Sequence, residues 1–517
     1  MDLFKRTTNL KLLFLLFALS CLLRLPNLNR PLATQWEQCT GISLMQLAIW
    51  QTNGAQTFHY LLPINYPGVK ELHIQNIKAY KQTKDTDGNY YYLSFPPFYL
   101  LVPYFLHKLF SIPISPLYLQ LLNIFLHFLT LLLILKISQL VFTFKKEQLD
   151  TIGLTACFIY TFSPSPLWFH TNIYIMFPFA IPILLAATYL FLKTHYSTET
   201  KPKYFLLLGI SLFFLCYTEW VGYLTSFTFM LLETITYIKQ KQHKGLWLIL
   251  TSGLAAFLSL SLFVWQGATA VGLDNLINFH FAKYNEYSGS LKGSNFLLFF
   301  SRLALWFGRG YAPTILALIG LLLVVWRKKQ SFKDLQAYPG SLLIVALTLP
   351  SVLHHLLLRD FTIHHEFSTL IDGLVLSFLG GMVVHYCIEH QFLRKKALLG
   401  LGMVVFVVNC FSFFLQHYPG PKSFNGYPYN VAQKIGTEIS KKASKDEAVF
   451  LVGFNREYDW QLLWYAKTNV GFCKDFSEMT QKMQELKLQR AKAFVLDSAY
   501  MYTGKVSYIK EVQLYIK

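Results

Sequence analysis

Charge is what this sequence has least of. Of its 517 residues 14% are Asp, Glu, Lys or Arg, while 54% are hydrophobic and the mean hydropathy is +0.37. An average soluble domain carries about 25% charged residues, so an ordinary soluble globule is excluded. Acid is scarcer than base, with 27 Asp and Glu against 46 Lys and Arg and a net charge of +19. Nucleic-acid binding does not explain the excess, because such proteins gather base on one polar face and no polar segment here is long enough to supply one. A membrane explains both numbers, since Lys and Arg collect in cytoplasmic loops and set orientation.

Other absences narrow the reading. The seven cysteines, Cys21, Cys39, Cys157, Cys216, Cys387, Cys410 and Cys473, contain no CxxC or other metal spacing. Five lie in apolar runs as small hydrophobes, which leaves Cys39 and Cys473 as the one conceivable disulfide. The apolar stretch after Lys5, Arg6 and Lys11 lacks a small-x-small cleavage site and reads as an uncleaved first span. No Walker loop, Rossmann glycine fingerprint or GxSxG elbow occurs, so a membrane enzyme working on the outer face has to draw its activated substrate from a lipid. Internal repeats and mid-span charges, common in transporters, are missing too. No Asn-x-Ser/Thr acceptor occurs, which fits a bacterial inner membrane.

What is present is a series of apolar runs near 9–24, 116–143, 150–167, 173–192, 204–219, 221–238, 245–266, 312–326, 340–358, 367–388 and 397–416. Read against the roughly 20 residues a span needs, they predict about eleven transmembrane helices, or up to about thirteen if 96–110 also crosses. With a cytoplasmic amino terminus, every basic cluster falls on one side: Lys145 and Lys146; Lys193, Lys201 and Lys203; Lys239, Lys241 and Lys244; Arg327, Lys328 and Lys329; Arg394, Lys395 and Lys396. Three polar segments then face outward. The first external loop, 24–94, holds an interfacial helix with Thr40 as N-cap candidate and Ile42, Met45 and Ile49 on one stripe. A later loop, 267–311, carries His280, Lys283, Arg302 and Arg309. The tail, 417–517, reads as a small extracytoplasmic α/β domain, with Val431, Ile435 and Ile439 on a helical stripe. Within it AVFLVGF and AFVLDS read as buried strands and QKMQELKLQRAK as an exposed helix between them. The expected division is therefore a transmembrane module, 1–416, and this tail domain.

Ionisable groups at a membrane boundary are costly, so the outward ones are the functional candidates. Glu37, in RPLATQWEQCTG, is the only acid between the first span and Glu71. It either deprotonates an acceptor hydroxyl, binds a metal, or serves a helix start through the dipole. Glu219, at an outward turn, is either a second functional carboxylate or a hydrogen-bonded structural one. Arg359, Asp360, His364, His365 and Glu366 form the densest outer cluster, better suited to an anion than to zinc, with His354 and His355 available for packing. Arg302 and Arg309, seven apart on one helical face beside Trp306, suit either a lipid phosphate or snorkelling anchors.

These features together resemble the GT-C superfamily of membrane glycosyltransferases, in the bacterial branch related to protein O-mannosyltransferases and lipid A aminoarabinose transferases. The carrying residues are WEQ at 36–38, the helix SLMQLAIWQTNGA, the approach DGNYYYLSFPPFYLLVPYFLHKLF and RDFTIHHEFSTL before a late span. The resemblance implies a sugar on a polyprenyl phosphate as donor, an inverting transfer to a lipid, glycan or protein hydroxyl, and Glu37 as the essential carboxylate. On the chemistry of the residues themselves, Arg302, Arg309, Arg359, His364 and His365 are the candidate donor-phosphate ligands, and the resemblance leaves a divalent cation, Mg or Mn, as an optional cofactor. The active site and tail then face the periplasm. The reading kept open beside it is a lipid or polysaccharide transporter, or a non-catalytic envelope-assembly protein.

Overall fold

The computed structural model describes residues 2–33, 36–72, 82–142, 150–197, 201–241, 243–288, 293–327, 340–417, 430–444, 446–454, 459–496 and 506–513. Each apolar run contains a helix. Among the described residues eight are long and apolar enough to cross a membrane: α1 (Asp2–Arg24), α4 (Pro116–Val141), α7 (Met176–Tyr196), α9 (Val221–Gln240), α10 (His243–Val271), α12 (Gly293–Arg327), α15 (Leu370–Glu389) and α16 (Lys395–His417). Three shorter ones fill the other expected places, α5 (Thr151–Phe162), α8 (Pro202–Cys216) and α13 (Ser341–Leu357). The chain is a polytopic helical membrane protein with a small sheet near its end.

Proline and glycine shape the outward ends. After α5, Ser163 turns extended and Pro164 starts a second short helix, α6 (Pro164–Asn172), whose nine residues are all buried. The segment 96–110 is α3 (Phe98–Phe110); 13 residues rise about 20 Å, short of the roughly 30 Å hydrocarbon core. The segment 267–311, expected as an outward loop, is helical for most of its described length: α11 (Leu273–Ser288) follows α10, and α12 begins well upstream of its apolar run, so Arg302 and Arg309 stand on a helix of 35 residues.

The helix of the first external loop, α2, spans Glu37–Asn53. It starts three residues before the expected cap, and Thr40 has other work. Its Oγ1 donates to the Asn172 carbonyl at 2.7 Å and accepts from the Tyr174 amide at 2.9 Å, satisfying backbone groups where α6 breaks before α7. Nor does α2 float on the surface: Leu44, Met45, Leu47, Ile49 and Trp50 are all buried. The tail covers one side of it.

That tail contains α17 (Val431–Lys442), β1 (Val449–Val452), α18 (Trp460–Ala466), β2 (Gly471–Cys473), α19 (Phe476–Glu485), β3 (Arg490–Leu496) and β4 (Val506–Gln513). The sheet order is β2-β1-β3-β4, parallel except for the last pair. The expected helix over QKMQELKLQRAK ends early. Lys487 takes a positive φ of 53°, and Arg490 to Lys492 belong to β3, because Ala491 and Ala493 are buried on one face. All seven cysteines are free thiols, so Cys39 and Cys473 are not bridged.

Candidate functional site

Glu37 lies in the first turn of α2 and is fully buried. What makes that tolerable is Arg30. After α1 a 3₁₀ turn, Leu25–Asn27, and a left-handed Asn29 fold the chain back so that Arg30 meets the start of α2. Its Nη2 stands 2.7 Å from Glu37 Oε1 and its Nη1 donates to Oε2 at 3.1 Å, with the two side chains 5% and 0% exposed. The Ala33 amide donates to Oε2 at 2.8 Å, and Asn172 Nδ2 approaches Oε1 at 3.4 Å. The guanidinium is held in turn by Asn27 Oδ1 at 3.0 Å and lies 5.2 Å from the centre of the Trp168 ring. Trp168 stacks on His417, at the end of α16, with centroids 4.2 Å apart.

From Glu37 the arrangement extends through its neighbour Trp36. That ring packs against Trp306 at 6.3 Å, His365 at 5.8 Å and Phe367 at 5.7 Å. Trp306 is flanked by two arginines of α12, Arg302 at 6.0 Å and Arg309 at 5.6 Å, on one helical face. Arg309 is also within electrostatic reach of His417 and of Glu366, a buried carboxylate that accepts from Ser165 Oγ at 3.3 Å. Trp306 itself is anchored by its Nε1 donating to the Thr362 carbonyl at 3.0 Å.

The outer cluster divides. Arg359, Asp360 and His364 belong to the six-residue helix α14 (Arg359–His364). Arg359 is half-buried with its Nε lacking a hydrogen-bond partner, whereas His364 is exposed and tied to Asp360. His365 turns inward, stacked on Phe361 at 4.2 Å. Burial pulls its imidazole down to about 4, so at neutral pH the ring is uncharged, and its one N–H, at Nδ1, donates to the Phe361 carbonyl at 2.8 Å.

Glu219 is in a different place. It is fully buried, accepts from the Val221 amide and lies 3.6 Å from His354 Nε2. His354 meets Phe177 and Phe361 edge-on, and those rings lead through Phe367 to Trp36. An aromatic partition therefore links the two carboxylates. His355 is absorbed by Asp372 at 2.8 Å and Thr362 at 3.0 Å.

The residues that sequence reasoning passed over are Arg30, Trp168, Asn172 and His417. Arg30 is the one Lys or Arg between the first span and Lys70, but nothing in its spacing from Glu37 marks it as a partner. The others come from distant helices and have no local signature.

Comparison with solved structures finds ArnT from Cupriavidus metallidurans bound to undecaprenyl phosphate. It superposes with a TM-score of 0.57 at 12% identity, over 94% of this chain and 93% of that one. The chain has the GT-C fold. The oligosaccharyltransferase of Archaeoglobus fulgidus shares it: in complex with Zn and sulfate the TM-score is 0.56 at 11% identity, over 93% of this chain and 68% of that one. The same enzyme with an inhibitory peptide and a dolichol-phosphate gives 0.54 at 11%, over 95% and 70%. No protein-family model and no curated protein sequence matches the chain.

A divalent ion of the kind the oligosaccharyltransferase carries does not fit the residues around Glu37. Among the described residues no three His, Cys, Asp or Glu side chains converge as ligands, and the charge of Glu37 is already met by Arg30 at 2.7 Å.

Proposed function

We propose that this GT-C-fold protein is a glycosyltransferase that moves a sugar from a polyprenyl-phosphate donor to a hydroxyl acceptor, with Glu37 as general base. One observation carries the reading: a fully buried carboxylate, held by an arginine, stands one residue from the Trp36–Trp306 contact that leads to Arg302 and Arg309. Fixed cations close to a fixed base are what transfer from a glycosyl phosphate requires.

The donor's phosphate sits at Arg309 and Arg302. As the sugar C1–O bond breaks, the electron pair stays on the phosphate oxygen, and the growing charge is stabilised most by cations already in place. The acceptor oxygen attacks C1 from the opposite face, inverting it, and gives its proton to Glu37; the products are the glycoside and polyprenyl phosphate. Asn172, at 3.4 Å the loosest contact on the carboxylate, marks the side on which the acceptor hydroxyl takes its place. His365, neutral and with its one N–H held by the Phe361 carbonyl, lines the site through its ring, and Arg359 serves the outer approach of the donor. Glu219, beyond the aromatic partition, supports the wall through His354 rather than the base.

The site faces the periplasm of a bacterial inner membrane. Supporting this, Lys244 Nζ donates to the carbonyls of His195 and Ser197 at 2.7 and 2.8 Å, so two of the basic loops meet at one end of the bundle, the end the positive-inside rule assigns to the cytoplasm. The test is Glu37→Gln, a change of one group at constant shape. It is expected to insert with a lowered thermal midpoint, since the buried Arg30 loses its counter-charge, and its folded fraction to release polyprenyl phosphate from a labelled polyprenyl-phosphate sugar about 100-fold more slowly or worse. Full activity of that variant refutes the mechanism, and no release by the native protein without a gradient favours a transporter.

A further inference from the structure

We propose that Arg30 supplies at Glu37 the fixed positive charge that a divalent ion would otherwise supply, and that transfer by this chain is independent of metal. The inference rests on the reading of Glu37 as the reacting carboxylate.

A buried carboxylate needs a compensating charge, and Arg30 provides one permanently, through a planar fork that meets both oxygens. The fork is built into the fold. Asn27 Oδ1 accepts from Nε at 3.0 Å, the Pro31 carbonyl accepts from Nη1 at 3.4 Å, and the Trp168 ring covers its face. A metal ion bound to the same carboxylate would face the guanidinium at close range in a site that excludes water. Like charges there repel strongly. It would also need further anionic ligands, which the described residues do not bring together. Arg30 is thus a positioning residue: it meets the charge of Glu37 and holds the carboxylate beside Asn172, on the side where the acceptor enters.

The experiment uses the full chain in detergent and has two readouts. In the first, Mn2+ binding is followed by electron paramagnetic resonance. The native protein is expected to take up no Mn2+ that Glu37→Gln removes, and one equivalent of ion lost in that variant would overturn the proposal. In the second, sugar release is measured with and without EDTA. Rates are expected to agree within about twofold, while loss on chelation with recovery on adding Mg2+, Mn2+ or Zn2+ would sink the idea. Arg30→Ala should lower release by about tenfold or more, with partial rescue by guanidinium ion at tens of millimolar and none by NaCl; Arg30→Lys should keep more of the rate. A variant Arg30→Ala as fast as the native chain counts against the role. If the native protein releases no sugar at all, the glycosyltransferase reading fails, and the Mn2+ measurement still decides the proposal about Arg30.

Discussion

Arg30 and Glu37 are seven residues apart in a loop, and burial is what makes them a pair. On a solvated surface such a contact is worth about 0–1 kcal/mol. Inside, removing one partner strands the other and costs about 3–5 kcal/mol, so each fixes the position of its mate. His365 answers the same pressure by the opposite route. It gives up its charge, and that has a consequence for pH. Its ring titrates at about 4 in the native state against 6.5 when free, so between those values the unfolded chain binds the extra proton. Stability is therefore at its plateau above about pH 6.5 and falls as the pH drops toward 4, and His280, also held near 4 by burial, acts in the same direction. The His365 share is on the order of 1–2 kcal/mol once partial screening is allowed for. Thermal unfolding in detergent at pH 7 and pH 5 checks it: His365→Gln should shrink the loss between the two, and an unchanged loss assigns the acid sensitivity elsewhere. Glu37 was legible in the sequence because it is an isolated acid after a span. Its mate was not, because a spacing of seven in a loop carries no geometric meaning until Asn29 turns the chain.

At the scale of elements, the apolar runs were readable because 15–25 consecutive hydrophobic residues have few alternatives to a span. Two other helices were read less fully: one was missed and the other was placed on the surface. The first half of α12 contains Ser301, Arg302, Gly308 and Arg309 and reads as loop, yet its backbone has no reason to stop hydrogen-bonding where the membrane ends. The helix α2 reads as amphipathic and interfacial, but it is covered on both sides because the tail packs down on it. Gly41 shows how closely. A Cβ there would lie 3.0 Å from the backbone nitrogen of Gln461 in α18, and backbone does not give way as a flexible side chain does. Gly41→Ala should therefore cost roughly 1–3 kcal/mol of stability despite alanine's better helix propensity. Gly400 in α16 has open space around its Cβ position, and Gly400→Ala is expected to cost nothing. Thermal midpoints of the two variants decide the matter: equal values would mean that α2 and α18 are free to separate.

At the scale of the whole molecule, the tail with its small sheet is fastened to the segment between α1 and α3. The fastening is specific. Asn469, just before β2, accepts from the Tyr66 amide at 2.8 Å and donates to the Tyr66 carbonyl at 2.7 Å, joining residues 403 apart in sequence. Tyr465 Oη takes the Leu32 amide at 3.0 Å, and Leu72 enters the cluster under the sheet beside Phe450 and Met479. No periodicity or motif marks residues 66 and 469 as partners, since each is ordinary in its own neighbourhood, which is why the sequence showed two modules and not their seam. The side-chain amide mimics a strand neighbour, closing a donor and an acceptor that are both buried. Asn469→Ala leaves the Tyr66 amide unpaired, at about 1–3 kcal/mol, and the Tyr66 carbonyl with only the Asn65 Nδ2 donor at 3.3 Å, whereas Asn469→Asp keeps the acceptor and loses only the donor. The expected order of thermal stability is native, then Asp, then Ala, and the Ala variant should open the 61–72 segment to limited proteolysis. The stretch it exposes leads directly from α2, so sugar release should fall along the same order. A tail that stays protected in Asn469→Ala would show that Tyr465 and Leu72 hold the seam without it.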